Sequence, residues 1–185
     1  MPSKLTEIPS YAFANTALTE ISIPDSVETI GYNAFQSTKL FGISLPKALK
    51  KLYGWGLSGC ENIESVTLPQ GVDMIPCEFF EGCINLKSVI IKGHLKLIER
   101  AAFKGCANLE RIGIPDQEEI EFDTFRGCQT LKSLKIPSSV RYIRRGAFAG
   151  CTNLESLVLS EGLERIESNI VSSTKLTEIV IPCNR

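Results

Sequence analysis

The sequence predicts a β-rich solenoid: a right-handed coil with a parallel sheet and short helical turns, filling the 185 residues as a single domain. Two observations predict it. Leu or Ile opens a similar phrase at Leu18, Leu40, Ile63, Leu86, Leu109, Leu131, Leu154 and Leu176, in steps of 22 or 23 residues. Within each phrase a short alternating apolar run is followed by Pro or a substitute, a second apolar pair and an aromatic corner. Self-similarity at such a period marks stacked units, none of which can enclose its own apolar side chains.

The clearest copy is Leu131 to Asn153, LKSLKIPSSVRYIRRGAFAGCTN. Its L-x-x-I-x-I opening has the period of a strand with one buried face, so Ile21 and Ile23, or Val66 and Leu68, are expected to point inward. Proline at 24, 46, 69, 115, 137 and 182 lacks a backbone donor and ends the ladder at a corner. The next inward pair, such as Val140 and Ile143, suits a short second strand. Phe13, Phe35, Phe80, Phe103, Phe125 and Phe148 then supply the largest core side chains, and A-F-x-G-C is expected to make a brief helical turn closed by a glycine with positive φ. The units are a partial first turn at 1–17, repeats one to seven at 18–39, 40–62, 63–85, 86–108, 109–130, 131–153 and 154–175, and a truncated last repeat at 176–185. This is the layout of an α/β leucine-rich-repeat solenoid, about 40 Å long if its turns stack at strand spacing. Four departures stand out. Repeat two reads YGWGLSGC where a Phe is expected, and repeats four and seven replace Pro with Lys92 and Ser160. Repeat five is one residue short before Ile120, and repeat seven has Val171 for Phe.

Hydrophobic residues at 43% allow a substantial core, and a net charge of −1 argues against nucleic-acid binding through bulk positive charge. Apolar runs are far too short to cross a bilayer, so no membrane insertion is expected. The start, Met1-Pro2-Ser3-Lys4-Leu5, has no charged segment leading into a long apolar stretch, so no secretory signal is read there.

The seven cysteines suggest a metal site or disulfide scaffold by count, but their spacing argues otherwise. Cys60, Cys83, Cys106, Cys128 and Cys151 occupy one slot in five consecutive turns, with Thr16, Thr38 and Thr174 in that slot at the ends. No pair has zinc-site spacing, and a ladder of small buried thiols accounts for the period. Cys77 and Cys183 fall outside the ladder and are the candidates for exposed thiols. His94, the only histidine, falls at a corner and reads as a surface imidazole. Gly54-Trp55-Gly56-Leu57-Ser58-Gly59 matches G-x-G-x-x-G, but no long helix can follow before the strand at Ile63, so the match is accidental. No catalytic, cofactor or metal constellation remains, and the chain reads as a non-enzyme.

Two charge series alternate in sign along the repeats. One is Glu64, Lys87, Glu110, Lys132 and Glu155; the other is Glu28, Lys50, Asp73, Lys96, Glu118 or Glu119, Arg141 and Glu164. Avoidance of like charges on stacked turns explains both. The acids Asp116, Glu118, Glu119, Glu121 and Asp123 are expected to be answered within the molecule by Arg141, Arg144 and Arg145. Tyr32, Phe41, Tyr53 and Trp55, with Tyr11 before them, fit no main inward slot and form a candidate partner-binding cluster; packing around the glycine-rich turn is the alternative. The outward strand positions, Ser65, Thr67, Ser88, Ile90, Arg111, Ser133, Lys135, Ser156 and Val158, are mostly small and suit close approach by a large protein.

The phrase IPxSVxxIxxxAFxGCxNL resembles the BspA-like leucine-rich repeats from about Ile8 to Pro182, and five copies carry the Gly-Cys corner. The resemblance implies a cell-surface or secreted adhesin-like scaffold that recognises host or matrix proteins without chemistry. The missing leader and the unpaired cysteines leave an intracellular location open. The expected function is protein binding. The alternative is a scaffold subunit docked through open solenoid ends, with end-to-end self-association at the edge formed by Leu176, Ile179 and Ile181.

Overall fold

The computed structural model describes residues 4–181. The chain winds as a parallel β-solenoid of about seven turns. Each turn has a strand face, a short second strand and a corner, around a core that includes Leu40, Ile63, Leu86, Leu109, Leu131 and Leu154 at one phrase position. On the strand face lie β4 (Ser65–Leu68), β6 (Ser88–Ile91), β9 (Ser133–Lys135) and β11 (Ser156–Val158). The two-residue second strands are β1 (Glu7–Ile8), β2 (Thr29–Ile30), β3 (Lys51–Leu52), β5 (Met74–Ile75), β7 (Leu97–Ile98), β8 (Glu119–Ile120), β10 (Tyr142–Ile143) and β12 (Arg165–Ile166).

The corners hold the turns together. In repeat three, the amides of Glu78, Phe80 and Gly82 donate to the carbonyls of Arg100, Ala102 and Lys104 in the next turn. The intervening amides of Phe79, Glu81 and Cys83 donate three residues back, to Pro76, Glu78 and Phe80. The inter-turn pattern recurs without a break, from Tyr11 bonding to Tyr32 through Gly150 bonding to Ser172. The corners are therefore turns, not the short helical turns expected from A-F-x-G-C. Glu78 and Gly82 bracket the corner at φ of 56° and 72°, and only three residues lie between such brackets. A left-handed residue at each end leaves too short a run for a helix, and half of the amides are already committed to the neighbouring turn.

A single continuous parallel sheet is not found either. On the strand face β4 pairs with β6 and β9 with β11, while isolated bridges join Ser88 to Arg111 and Val158 to Val180. The second strands form three blocks, β1-β2-β3, β5-β7 and β8-β10-β12. The seams between the blocks fall after repeat two and after repeat four. The charge series breaks at the same places: Lys50 pairs with Glu28, Lys96 with Asp73, and Arg141 with Glu118 and Glu164, but among the described residues no ion pair crosses either seam. The Lys87–Glu64 pair follows the other series.

At the second seam the short repeat five leaves its neighbour without a backbone partner, and Gln117 replaces it. Its Oε1 accepts from the Ile98 amide at 2.8 Å, and its Nε2 donates to the carbonyls of Ile98 and Glu119. The side-chain amide thus acts as a substitute peptide group, buried to 5% exposure. Repeat two has its own explanation. Repeat three carries Phe79 as well as Phe80, packed edge to face at 4.8 Å. A Cβ on Gly56 would come within 2.3 Å of the Phe79 ring, so the turn beneath must be small there. Gly56-Leu57 in place of Ala-Phe makes that room and interrupts the Phe stack, which resumes as Phe80–Phe103–Phe125–Phe148.

Two stability measurements follow. Gln117→Leu, which strands the buried Ile98 groups, is expected to lower unfolding free energy by about 1–3 kcal/mol in a denaturant titration; an unchanged midpoint would remove the substitute-peptide role. Gly56→Ala is expected to cost about 1–3 kcal/mol by overpacking, and most of that cost should vanish in a Phe79→Ala background, as a double-mutant cycle would record.

Candidate binding surfaces

The thiol ladder is a structural device. The thiols of Cys60, Cys83, Cys106, Cys128 and Cys151 donate to the carbonyls of Phe35, Leu57, Phe80, Phe103 and Phe125 in the preceding turn, at 3.0–3.3 Å. Phe80 shows the economy of this arrangement, since its carbonyl also accepts the Cys83 amide. A small donor in this slot offers the buried carbonyl a second hydrogen bond. Thr16 and Thr174 bond within their own corners, to Phe13 and Val171, and Thr38 sits 3.2 Å from Cys60. Burial pushes the thiols of Cys83, Cys106 and Cys128 well above the usual range, and that of Cys151 up to about 12. Cys77 lies apart from the ladder and is half-buried rather than exposed. Cys183 and Pro182 lie outside the described residues.

The aromatic cluster assembles only in part. Tyr32 packs against Tyr53 at 4.8 Å and against Trp55 at 6.5 Å. All three follow the second strand of their turns, on one flank of the coil. Trp55 is anchored by its indole N–H, which donates to Glu78, a carboxylate also held by Arg100. A cleft of about 590 Å³ opens beside the tyrosines at the first seam, with Lys51, Met74, Pro76 and Cys77 among its walls. Phe41 does not join them. It follows the phrase-opening Leu40 and stands at the edge of the strand face, 67% exposed. Tyr11 is exposed as well and makes no ring contact among the described residues.

The strand face collects the other nine candidates, because alternation along each strand sends them outward together. Ser65, Ser88, Arg111, Ser133 and Ser156 form one column, and Thr67, Ile90, Gly113, Lys135 and Val158 form the next. Ile90 and Val158 are 54% and 49% exposed. Gly113 belongs to this surface although its lack of a side chain hid it from sequence reasoning.

The acidic run of repeat five is largely neutralised within the molecule. Glu118 pairs with Arg141, while Glu119 and Glu167 sandwich Arg144. Both arginines lie over the Tyr142 ring, at 5.8 and 5.3 Å. Arg145 takes no part in ion pairing among the described residues, and Asp123 pairs with Arg126 of its own corner. At the far end Leu176 and Ile179 pack against the core, but Ile181, expected inward, is 62% exposed. His94 is exposed. Among the described residues no helix is long and apolar enough to cross a membrane.

The profile of a family described as BspA type Leucine rich repeat region matches residues 6–130 and 73–185, in six copies. No curated protein matches the chain. Among solved structures, a leucine rich cell surface protein from Faecalibacterium prausnitzii is similar over 100% of this chain and 59% of its own, at 24% identity and a TM-score of 0.70. The pneumococcal vaccine antigen PcpA is similar over 98% of this chain and 60% of its own, at 21% identity and a TM-score of 0.69. A leucine-rich-repeat protein of T. pallidum is similar over 85% of this chain and 66% of its own, at 26% identity and a TM-score of 0.54. The chain thus spans about three fifths of the first two proteins, and those likenesses establish the fold.

Thiol chemistry tests the buried ladder. In the native protein a thiol reagent followed by peptide mapping should modify Cys77 well before the five ladder cysteines, which hold their protons. The raised thiols stabilise the fold fully below the unfolded thiol range near 9, and that contribution is lost as pH climbs toward 12. The denaturation midpoint should therefore fall over that interval, and should fall less when Cys151 is replaced by Ala.

Proposed function

Since this chain belongs to the BspA-type leucine-rich-repeat family, we propose that it is a non-catalytic protein-recognition domain which works in adhesion at a cell surface and docks its partner on the strand face. One observation carries the reading. The ten ion pairs among the described residues all lie outside the outward strand columns, which combine small side chains with exposed Ile90 and Val158 and with Arg111 and Lys135. Small residues let a partner's backbone approach, and exposed apolar side chains supply the area that anchors it. The surface location draws support from the neighbours, of which one is described as a cell surface protein and another as a vaccine antigen. The aromatic flank at Tyr32, Tyr53 and Trp55 is a secondary contact in this reading, since Trp55 is already committed to Glu78.

Binding of the whole chain to a panel of purified extracellular-matrix and plasma proteins tests it. For any protein that binds, the combined change Ile90→Asp, Arg111→Glu and Lys135→Glu should weaken binding about tenfold or more, while Tyr32→Ala with Tyr53→Ala should do less. The opposite ranking would move the site to the flank, and binding insensitive to both sets would sink the assignment of either surface.

A further inference from the structure

The scaffold commits eighteen charged side chains to ion pairs among the described residues, and the strand face holds two that are not so committed. Ten ion pairs are formed among the described residues, and none includes Arg111 or Lys135. Asp116 and Glu161 stand beside Lys135 at the rim without reaching ion-pair distance. Along the coil axis the order is Ile90 in repeat four, Arg111 in repeat five, Lys135 in repeat six and Val158 in repeat seven: apolar, basic, basic, apolar. The register staggers this row over two columns: Lys135 and Val158 share a column with Ile90 and Gly113, while Arg111 stands beside Ser88 in the adjacent column, two residues from Gly113.

Building on the strand face as the partner surface, we propose that repeats four to seven receive an amphipathic helix of a partner protein, laid along the coil axis, with an apolar, acidic, acidic, apolar row facing the solenoid. Charge complementarity selects the acids, and spacing selects the helix. Turns of the solenoid repeat at about 4.8 Å at paired strands and at 5.4–5.8 Å at the stacked Phe rings. A helix advances about 5.4 Å per turn, so residues i, i+4, i+7 and i+11 meet four successive repeats one for one. An extended chain advances about 6.8 Å between residues on one face, which places one side chain, not two, between the apolar anchors. The surface also leaves room for a helix backbone. Ser88, Ser133 and Ser156 keep one side low, and a hollow of about 540 Å³ opens at Gly113, where an added Cβ would meet nothing within 4 Å. That hollow lies between repeats four and five, where the Ser88–Arg111 bridge is the one strand-face pairing among the described residues.

Three peptide probes of about 18 residues test the proposal on the whole chain. One is a helix presenting Leu-Glu-Glu-Leu at i, i+4, i+7 and i+11; the second carries Lys for Glu; the third presents the same acids on an extended Thr/Val backbone. Binding is read by fluorescence anisotropy and by amide chemical shifts of the labelled protein. The acidic helix is expected to shift residues 88–90, 111–113, 133–135 and 156–158, and to weaken with added salt. Arg111→Glu with Lys135→Glu should reduce its affinity about tenfold or more, and Gly113→Phe, which fills open space, should do the same without lowering the melting temperature. A basic helix that binds equally well, or an acidic one indifferent to the charge reversal, overturns the proposal. If only the extended probe moves the strand-face amides, the helix is wrong and the surface stands. If no probe moves them, the helix proposal falls, and the matrix-protein assay decides separately whether the surface binds at all.

Discussion

The alternating hydrogen bonds of the corners hold the rest of the structure in place. Each corner divides its amides between a bond three residues back, which shapes the turn, and a bond to the next turn, which stacks it. Two residues in the left-handed region set this division, and so Gly or Asn, Asp and Ser recur at the brackets, as at Gly82, Asn33 and Ser37. With the inter-turn bonds unbroken from Tyr11 onward, the Phe and Cys columns are held in line. The thiols then add a donor to carbonyls that already accept an amide, which tightens the same joint.

Because the corners carry the stacking, the strands can part. The second strands fall into three blocks, and the ion pairs of the neighbouring charge series respect the same boundaries. Repeat five shows how a seam is tolerated: one residue is missing, and the buried amide of Gln117 supplies the groups that a backbone would have offered. Repeat two shows the complementary case, in which an extra ring from Phe79 is matched by a missing side chain at Gly56. Irregular repeats are thus corrected by their neighbours, as close packing requires.

The same logic separates scaffold from binding surface. Nine of the ten ion pairs among the described residues join neighbouring turns outside the strand face, and most of the Phe column and the five ladder cysteines are buried. On the strand face Ile90 and Val158 remain exposed and Arg111 and Lys135 stay outside the ion pairs of the described residues, while the Tyr32–Tyr53 pair is exposed on the flank. A repeat architecture makes this subtraction meaningful, since each position has several equivalents that show what the scaffold alone demands.

The sequence by itself determined the repeat period, most of the inward columns, the outward strand positions and the alternation of charge, because each depends only on period and on which face a residue takes. It also led to the single slot of the five ladder cysteines. Only the tertiary structure decided that the corners are turns rather than helices, that Phe41 stands apart from the other aromatics, and that Gln117 serves as a backbone surrogate. It also decided that Glu118 and Glu119 answer different arginines. These outcomes depend on hydrogen bonds and packing between residues 19 to 26 positions apart, whose geometry is set by the neighbouring turn. A repeat pattern says which residues share a column, but the fit between adjacent members of a column exists only once the turns are stacked.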